Sequence, residues 1–296
     1  MGEQLDLFLD SRAVALANEA IDALSARDAV RAPASLDRLR REAPDHPALP
    51  ALEILTGALA GWRQPGADPA AIVRAVQWLD NEIAPAARRA LGPAALAFVG
   101  GFFRDLADAA RGLAYEPARA TAHRAWLCLR CGEWEEAEEA ARAIPGATRN
   151  PDTLHWLCVA RYRRYGLAAA RSSLFALAWH APQRLPSILA ELDDELLDRD
   201  WQAFDRASEW ESVQESERPA WFPAWYLLAY PVVGKELSDA ASPDTPPADA
   251  ARLLVELAEL ERQGNQRKLV GQRERLRRLN PDLFSLYMAR RAVHYL

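Results

Sequence analysis

The most reactive side chains in this chain fall into two short, matching groups. Cys128-x-x-Cys131 and His155-x-x-Cys158 share an i,i+3 spacing, which puts both members of each pair on one face of a helix. If those helices are neighbours, Cys128, Cys131, His155 and Cys158 supply four nitrogen and sulfur ligands for a closed zinc site. The same residues also read as packing. Cys128 and Cys158 hold equivalent places in Trp126-Leu127-Cys128 and Trp156-Leu157-Cys158, and a small, weakly polar side chain suits a tight seam between helices. The packing reading is the expectation, with no metal and no cofactor. Three cysteines make an odd number without a disulfide framework.

Other catalytic patterns are missing from the sequence. There is no G-x-x-x-x-G-K-[ST], no H-E-x-x-H and no G-x-S-x-G, and only five histidines are present. Gly100-Gly101 is read as permitting close helix packing, not as a phosphate cradle. The chain is therefore expected to bind and not to catalyse.

The elements that would position these residues are helical. Val14, Ala17, Ile21 and Leu24 recur at helical period, as do Ile72, Val73, Val76 and Leu79, then Leu253, Leu254, Leu257 and Leu260. Asp68-Pro69 and Pro151-Asp152 carry cap and first-turn chemistry, and Asp10 or Ser11 is expected to open the first long helix. No hairpin signal flanked by alternating β-branched residues appears. The fold class is all-α. Breaks are expected at residues 64–68, 115–118, 145–152 and 236–249, the last being the longest polar, Pro-rich stretch. This gives an N-terminal arm (1–10), a helical-repeat domain (11–235), a Pro-rich loop (236–250) and C-terminal helices (251–296) packed on the same array.

Internal similarity refines the class. Trp126-Leu127-Cys128-Leu129 returns as Trp156-Leu157-Cys158-Val159, and Gly132–Ala137 is answered by Tyr165–Ala170. The spacings differ by about one helical turn, so the first unit's leading helix should be one turn shorter. Trp156, Gly166, Ala170 and Pro182 occupy the places of a bulky helix-A residue, a turn glycine, a small helix-B alanine and a closing proline. Gly264, Leu269 and Pro281 follow the pattern with Leu for Ala, and Ala32 and Pro44 follow it without a turn glycine. This resembles the tetratricopeptide repeat family, over about half of the chain. The resemblance implies antiparallel helix pairs stacked as an α-solenoid with a concave surface for a protein partner.

Composition bounds the partners. Net charge is -6 over 296 residues, half of them hydrophobic, which argues against wholesale coating of nucleic acid. The basic residues are almost all Arg, with Lys only at positions 235 and 268, a composition of GC-rich bacterial genes. No basic-then-apolar leader opens the chain, and the apolar run Ala95–Phe103 is too short to span a bilayer. Cytoplasmic, soluble and without a membrane partner is the expectation.

Three surfaces are candidates for contact. Ten tryptophans are many for this length, and Trp221 and Trp225, beside Pro219 and Pro223, are the pair expected to anchor a partner if exposed. The adjoining stretch Glu191–Glu217 is strongly acidic. Arg267, Lys268, Arg273, Arg275, Arg277 and Arg278 form a basic patch whose contact with phosphates would be weak and salt-sensitive.

The third surface is the N-terminus. Gln4-Leu5-Asp6-Leu7-Phe8 matches at all five positions the pentapeptide by which bacterial replication and repair proteins dock on the DNA polymerase sliding clamp. The resemblance implies that Gln4 holds the pocket rim through its amide, while Leu7 and Phe8 enter an apolar pocket and Leu5 a smaller one. Two buried side chains contribute about 1.5–3 kcal/mol each before ordering costs, consistent with micromolar affinity. The competing reading packs Leu5, Phe8 and Leu9 over the first repeat. The expected function is a non-catalytic scaffold or adaptor, with a clamp-tethered replication or repair accessory and a zinc metalloprotein as alternatives.

Overall fold

The computed structural model describes the backbone of residues 2–207, 213–234 and 243–294, with side chains inside that set from residue 12 to residue 291. Every regular element among the described residues is helical. The chain forms two compact units, residues 1–137 and 138–296.

The first unit carries α1 (Gly2–Ser25), α2 (Arg31–Glu42), α3 (Leu49–Gly61), α4 (Pro69–Trp78), α5 (Ala84–Leu91), α6 (Ala95–Ala109) and α7 (Arg124–Cys131). The unit boundary falls inside α8 (Trp134–Arg142). The second unit carries α9 (Pro151–Tyr165), α10 (Leu167–His180), α11 (Leu185–Leu192), α12 (Glu195–Asp205), α13 (Phe222–Ala229), α14 (Pro246–Gln263), α15 (Gln266–Leu279) and α16 (Pro281–His294). Helices pack chiefly on chain neighbours: α1 on α2, α6 on α7, α9 on α10, and then α13, α14, α15 and α16 in succession. Pairing of neighbours follows from short connections and one apolar stripe per helix.

Local chemistry explains most boundaries. Asp68 caps α4 by accepting from the Ala70 N–H at 3.0 Å, with Pro69 following at a first-turn position. At α9 the cap is Asn150, which accepts from the Asp152 N–H at 2.9 Å; Pro151-Asp152 supplies only the first turn. Two expected boundaries move. α1 runs from Gly2, so neither Asp10 nor Ser11 opens it. α14 starts at Pro246, inside the stretch read as a loop, because proline in a first turn leaves no intrahelical bond unmade; residues 236–242 of that stretch lie outside the described residues. α7 has 8 residues against 15 in α9, a difference of about two turns where one was expected.

Alanines do much of the packing. In α1 the buried face is Leu16, Ala17, Ala20, Ala23 and Leu24, while Val14 is 53% exposed. Ala137 and Ala170, the matched small residues of the internal repeat, are both fully buried. Gly101 admits a close approach: a Cβ there would displace the Arg27 guanidinium, which lies 4.2 Å over the Phe102 ring and donates to the Phe98 carbonyl at 2.9 Å. The joined helices from Pro69 to Ala109 are long and apolar enough to cross a membrane by length and composition, but 56% of their most apolar window is buried in the protein.

Candidate binding groove

The aromatic-rich segment fills the core of the second unit. Trp221 and Trp225 are 7% and 8% exposed, which corrects the expectation that they form an open contact surface. Phe222 explains why. It is fully buried and meets Trp201 at 5.3 Å, Phe204 at 5.5 Å and Trp225 at 6.2 Å between ring centroids. Burying these faces contributes more than leaving them wet, so α13 turns them inward.

The acidic stretch is likewise partly absorbed. Asp194 caps α12 and accepts from the Tyr162 hydroxyl at 2.9 Å. Asp200 is buried and accepts from the Tyr230 hydroxyl at 3.2 Å. Glu191 meets His155 Nε2 at 2.6 Å.

Behind the aromatic core, α13, α14 and α16 enclose a cavity of about 410 Å³. Leu254, Ala258 and Glu261 project into it from one face of α14, being spaced four and three residues apart. Leu227, Leu228 and Pro231 supply the facing apolar wall. A second depression of about 820 Å³ continues over the same helix past Val255, Glu259 and Arg262, and shares Pro231, Ala258 and Glu261 with the first. Val232 stands 87% exposed at its edge. Together the two make an elongated groove in which apolar wall alternates with charge: Glu261 lies where they meet, Arg290 and Arg291 line the first part, and Glu259 and Arg262 the second.

The charges around Glu261 have a defined order. Glu261 accepts from Arg291 at 3.0 Å and from Arg273 at 3.3 Å, and the Tyr287 hydroxyl donates to it at short range. Arg273 also donates to the Tyr287 oxygen at 3.2 Å. Burial, reinforced by the Glu261 carboxylate, pushes the Tyr287 hydroxyl up to about 12, so tyrosine stays a proton donor at neutral pH. Arg290 differs from its neighbours. Its guanidinium lies 5.6 Å over the Trp225 ring and senses Asp200 and Tyr230 at longer range. Among the described residues it has no hydrogen bond or ion pair at contact distance. Partial burial lowers its pKa from the ordinary arginine value, yet arginine remains charged at any physiological pH. A half-buried guanidinium with no carboxylate in contact, beside an apolar wall, is able to take one.

The remaining candidates are placed as follows. Arg267, Lys268, Arg275, Arg277 and Arg278 are exposed on α15, Arg278 beside Glu274 at 3.1 Å. Arg273 leaves the expected basic patch, because Glu261 and Tyr287 hold it half-buried. Gln4, Leu5, Asp6, Leu7 and Phe8 belong to the backbone of α1, and their side chains lie outside the described residues. Cys128 and Cys158 are buried and Cys131 half-buried. Burial pushes the Cys158 thiol up to about 12, aided by nearby Glu191. No group of three or more His, Cys, Asp or Glu side chains among the described residues is arranged to hold a metal ion.

Sequence reading did not single out Leu254, Ala258, Glu261, Tyr287 or Arg290. The available signal was the Tyr287-x-x-Arg290-Arg291 face of α16 and one acid, Glu261, spaced to share the Leu254 face of α14. No protein-family model, no curated protein and no solved structure matches this chain.

Proposed function

We propose that this protein is a non-catalytic helical scaffold of the cytoplasm that holds an extended segment of a protein partner along the α14 groove. The segment presents one or two bulky apolar side chains to Leu227, Leu254 and Ala258, followed by an Asp, a Glu or a terminal carboxylate at Arg290. The carrying observation is Arg290, a half-buried guanidinium lining the groove that has no carboxylate at contact distance among the described residues. Length favours a peptide over a compact small molecule, since the two parts share Pro231, Ala258 and Glu261 and run on along one helix. The tetratricopeptide-like repeat pattern supports the same class of function, because such helix pairs serve mainly as peptide-holding surfaces.

The test is a selection of phage-displayed random dodecapeptides on the full-length protein. Enriched sequences should place an acid beside bulky apolar residues, and should lose at least about tenfold in affinity against Arg290→Gln and against Leu254→Glu. Binders that are indifferent to both changes would remove the groove from the account.

A second reading rests on Gln4–Phe8. The pentapeptide would tether the scaffold to a sliding clamp, and the exposed arginines of α15 would add weak contact with nucleic acid. In this reading the first turns of α1 must give way to let the motif extend. A labelled peptide of residues 1–12 titrated with purified bacterial clamp should bind at micromolar concentration, and the Gln4→Ala/Phe8→Ala peptide should not. Equal signals from both would end this reading and leave the groove untouched.

A further inference from the structure

The Cys128-x-x-Cys131 pair has no role in the groove, and its geometry is that of a closable dithiol. Both thiols sit in the last turn of α7, which ends at Gly132 in the left-handed conformation with φ 79°. Helix geometry places Cα atoms three residues apart at about 5 Å, inside the roughly 4.4–6.8 Å that disulfides span. The turn is already tightened: the Gly132 N–H donates to the Leu129 carbonyl at 3.2 Å, an i,i+3 bond. The N–H groups of Gly132 and Glu133 both also reach the Cys128 carbonyl, so the helix closes its C-terminus around the pair. The Cys131 thiol points back along the turn and donates to the Cys128 carbonyl at 3.4 Å.

The two sulfurs are unequal in surroundings. Cys128 is fully buried, whereas Cys131 is half-buried beside Arg104. A hydrogen bond from the Cys128 thiol holds the Cys131 thiol below its ordinary range, with the Glu133 N–H and the Arg104 charge acting the same way against burial and the Glu133 carboxylate. The Cys128 thiol is pushed upward by that same bond and by burial. Accessible and more acidic, Cys131 is the attacking sulfur; sheltered and protonated, Cys128 is the resolving one. Gly100 of α6 packs against the pair, the position of a Cβ there lying 3.7 Å from the Cys131 Cα.

We propose that Cys128 and Cys131 are an oxidisable dithiol, a modification site at which a hydroperoxide closes the pair into an intramolecular disulfide. The Cys131 thiolate attacks the terminal peroxide oxygen; an S–O bond forms, the O–O bond breaks, and the leaving alkoxide or hydroxide takes a proton. Sulfur loses two electrons and the peroxide gains them. The Cys128 sulfur then attacks the sulfenic sulfur; the S–S bond forms, the S–O bond breaks, and the thiol proton leaves with hydroxide as water. This site is independent of the groove and of any partner.

Trypsin cuts at Arg124, Arg130 and Arg142, so the two cysteines fall on separate peptides, residues 125–130 and 131–142. The reduced full-length protein is exposed to a few equivalents of hydrogen peroxide, blocked with N-ethylmaleimide in denaturant and mapped. The expected product is the disulfide-linked pair of these peptides from one chain, lost again on dithiothreitol treatment. It should form equally in Cys158→Ser and be absent in Cys131→Ser, while Cys128→Ser should stop at a dimedone-trapped sulfenic acid on Cys131. In the untreated native chain, iodoacetamide should modify Cys131 at least about tenfold faster than Cys158. The proposal is overturned if wild-type Cys131 passes to sulfinic acid with Cys128 still alkylatable, if neither reacts, or if the linked peptides come from different chains.

Discussion

Two glutamates in the second unit are gripped by arginine in nearly the same way, and they differ in what lies beyond them. Glu138 is 3% exposed and accepts from Arg142 at 2.5 Å, Arg164 at 2.7 Å and Arg161 at 3.0 Å. Arg161 goes on to the Ser173 hydroxyl at 2.9 Å. Every direction around that carboxylate is protein, and the cluster ties α8 to α9 and α10. Glu261 has a comparable set in Arg273, Arg291 and Tyr287, but it faces a cavity with an apolar wall opposite and Arg290 at its side. The same ion-pair chemistry therefore does two jobs. Around Glu138 it fixes helices; around Glu261 it neutralises one acid and leaves a neighbouring cation for something else.

This contrast predicts separable effects. Glu138→Gln takes the shared carboxylate from Arg161 and Arg164, both mostly buried, and from the exposed Arg142, and should cost about 3 kcal/mol in urea unfolding; a cost below that of Glu261→Gln would reverse the assignment. Acid should act at the first cluster as well. Burial raises the Glu138 pKa, but hydrogen bonds and charge from the arginines more than offset it, and the net direction is downward. The unfolded carboxyl binds its proton first, so Glu138 contributes full stability above the ordinary glutamate value near 4.3 and loses it as pH falls through the lower folded value. Stability of wild type should fall through that acid window, and Glu138→Gln should flatten the fall.

Glu261→Gln should cost only about 1 kcal/mol, since its site is partly open to water. Its larger effect should be on ligand choice: with Arg291 and Arg273 released, acidic peptides should bind more tightly and with steeper salt dependence. Unchanged affinity would separate Glu261 from the binding end. The smallest effect tests a cap in the first unit. His123 opens α7 by accepting from the Ala125 N–H at 3.2 Å through Nδ1, and burial lowers its pKa. That contribution is complete above the ordinary histidine value and disappears as pH falls from it toward the lower folded value. His123→Asn, which can still accept, should stay within about 1 kcal/mol of wild type at neutral pH and lose that pH dependence.

Much of the helical architecture was legible because helices state themselves locally. Ile72, Val76 and Leu79 fall at helical period and are all buried, and Asp68-Pro69 marks a start with two agreeing signals. The start of α1 was missed because Asp10 and Ser11 are good cap types, and type alone does not decide a cap. Trp221 and Trp225 were misplaced for a related reason: an aromatic beside proline reads the same in a groove or a core, and only the arrival of Trp201, Phe204 and Phe222 decides between them. Least legible was the groove. Its parts come from residues 227–234, 254–262 and 287–291, and no spacing within one segment announces that three helices will face each other.

The central claim is that Arg290 reads a carboxylate, and a double-mutant cycle measures that directly. A selected peptide and its Asp→Asn or Glu→Gln counterpart are titrated against wild type and Arg290→Gln. The account predicts a coupling energy of at least about 1.5 kcal/mol between the peptide acid and Arg290. Additive losses, with no coupling beyond the error of the titrations, would contradict it.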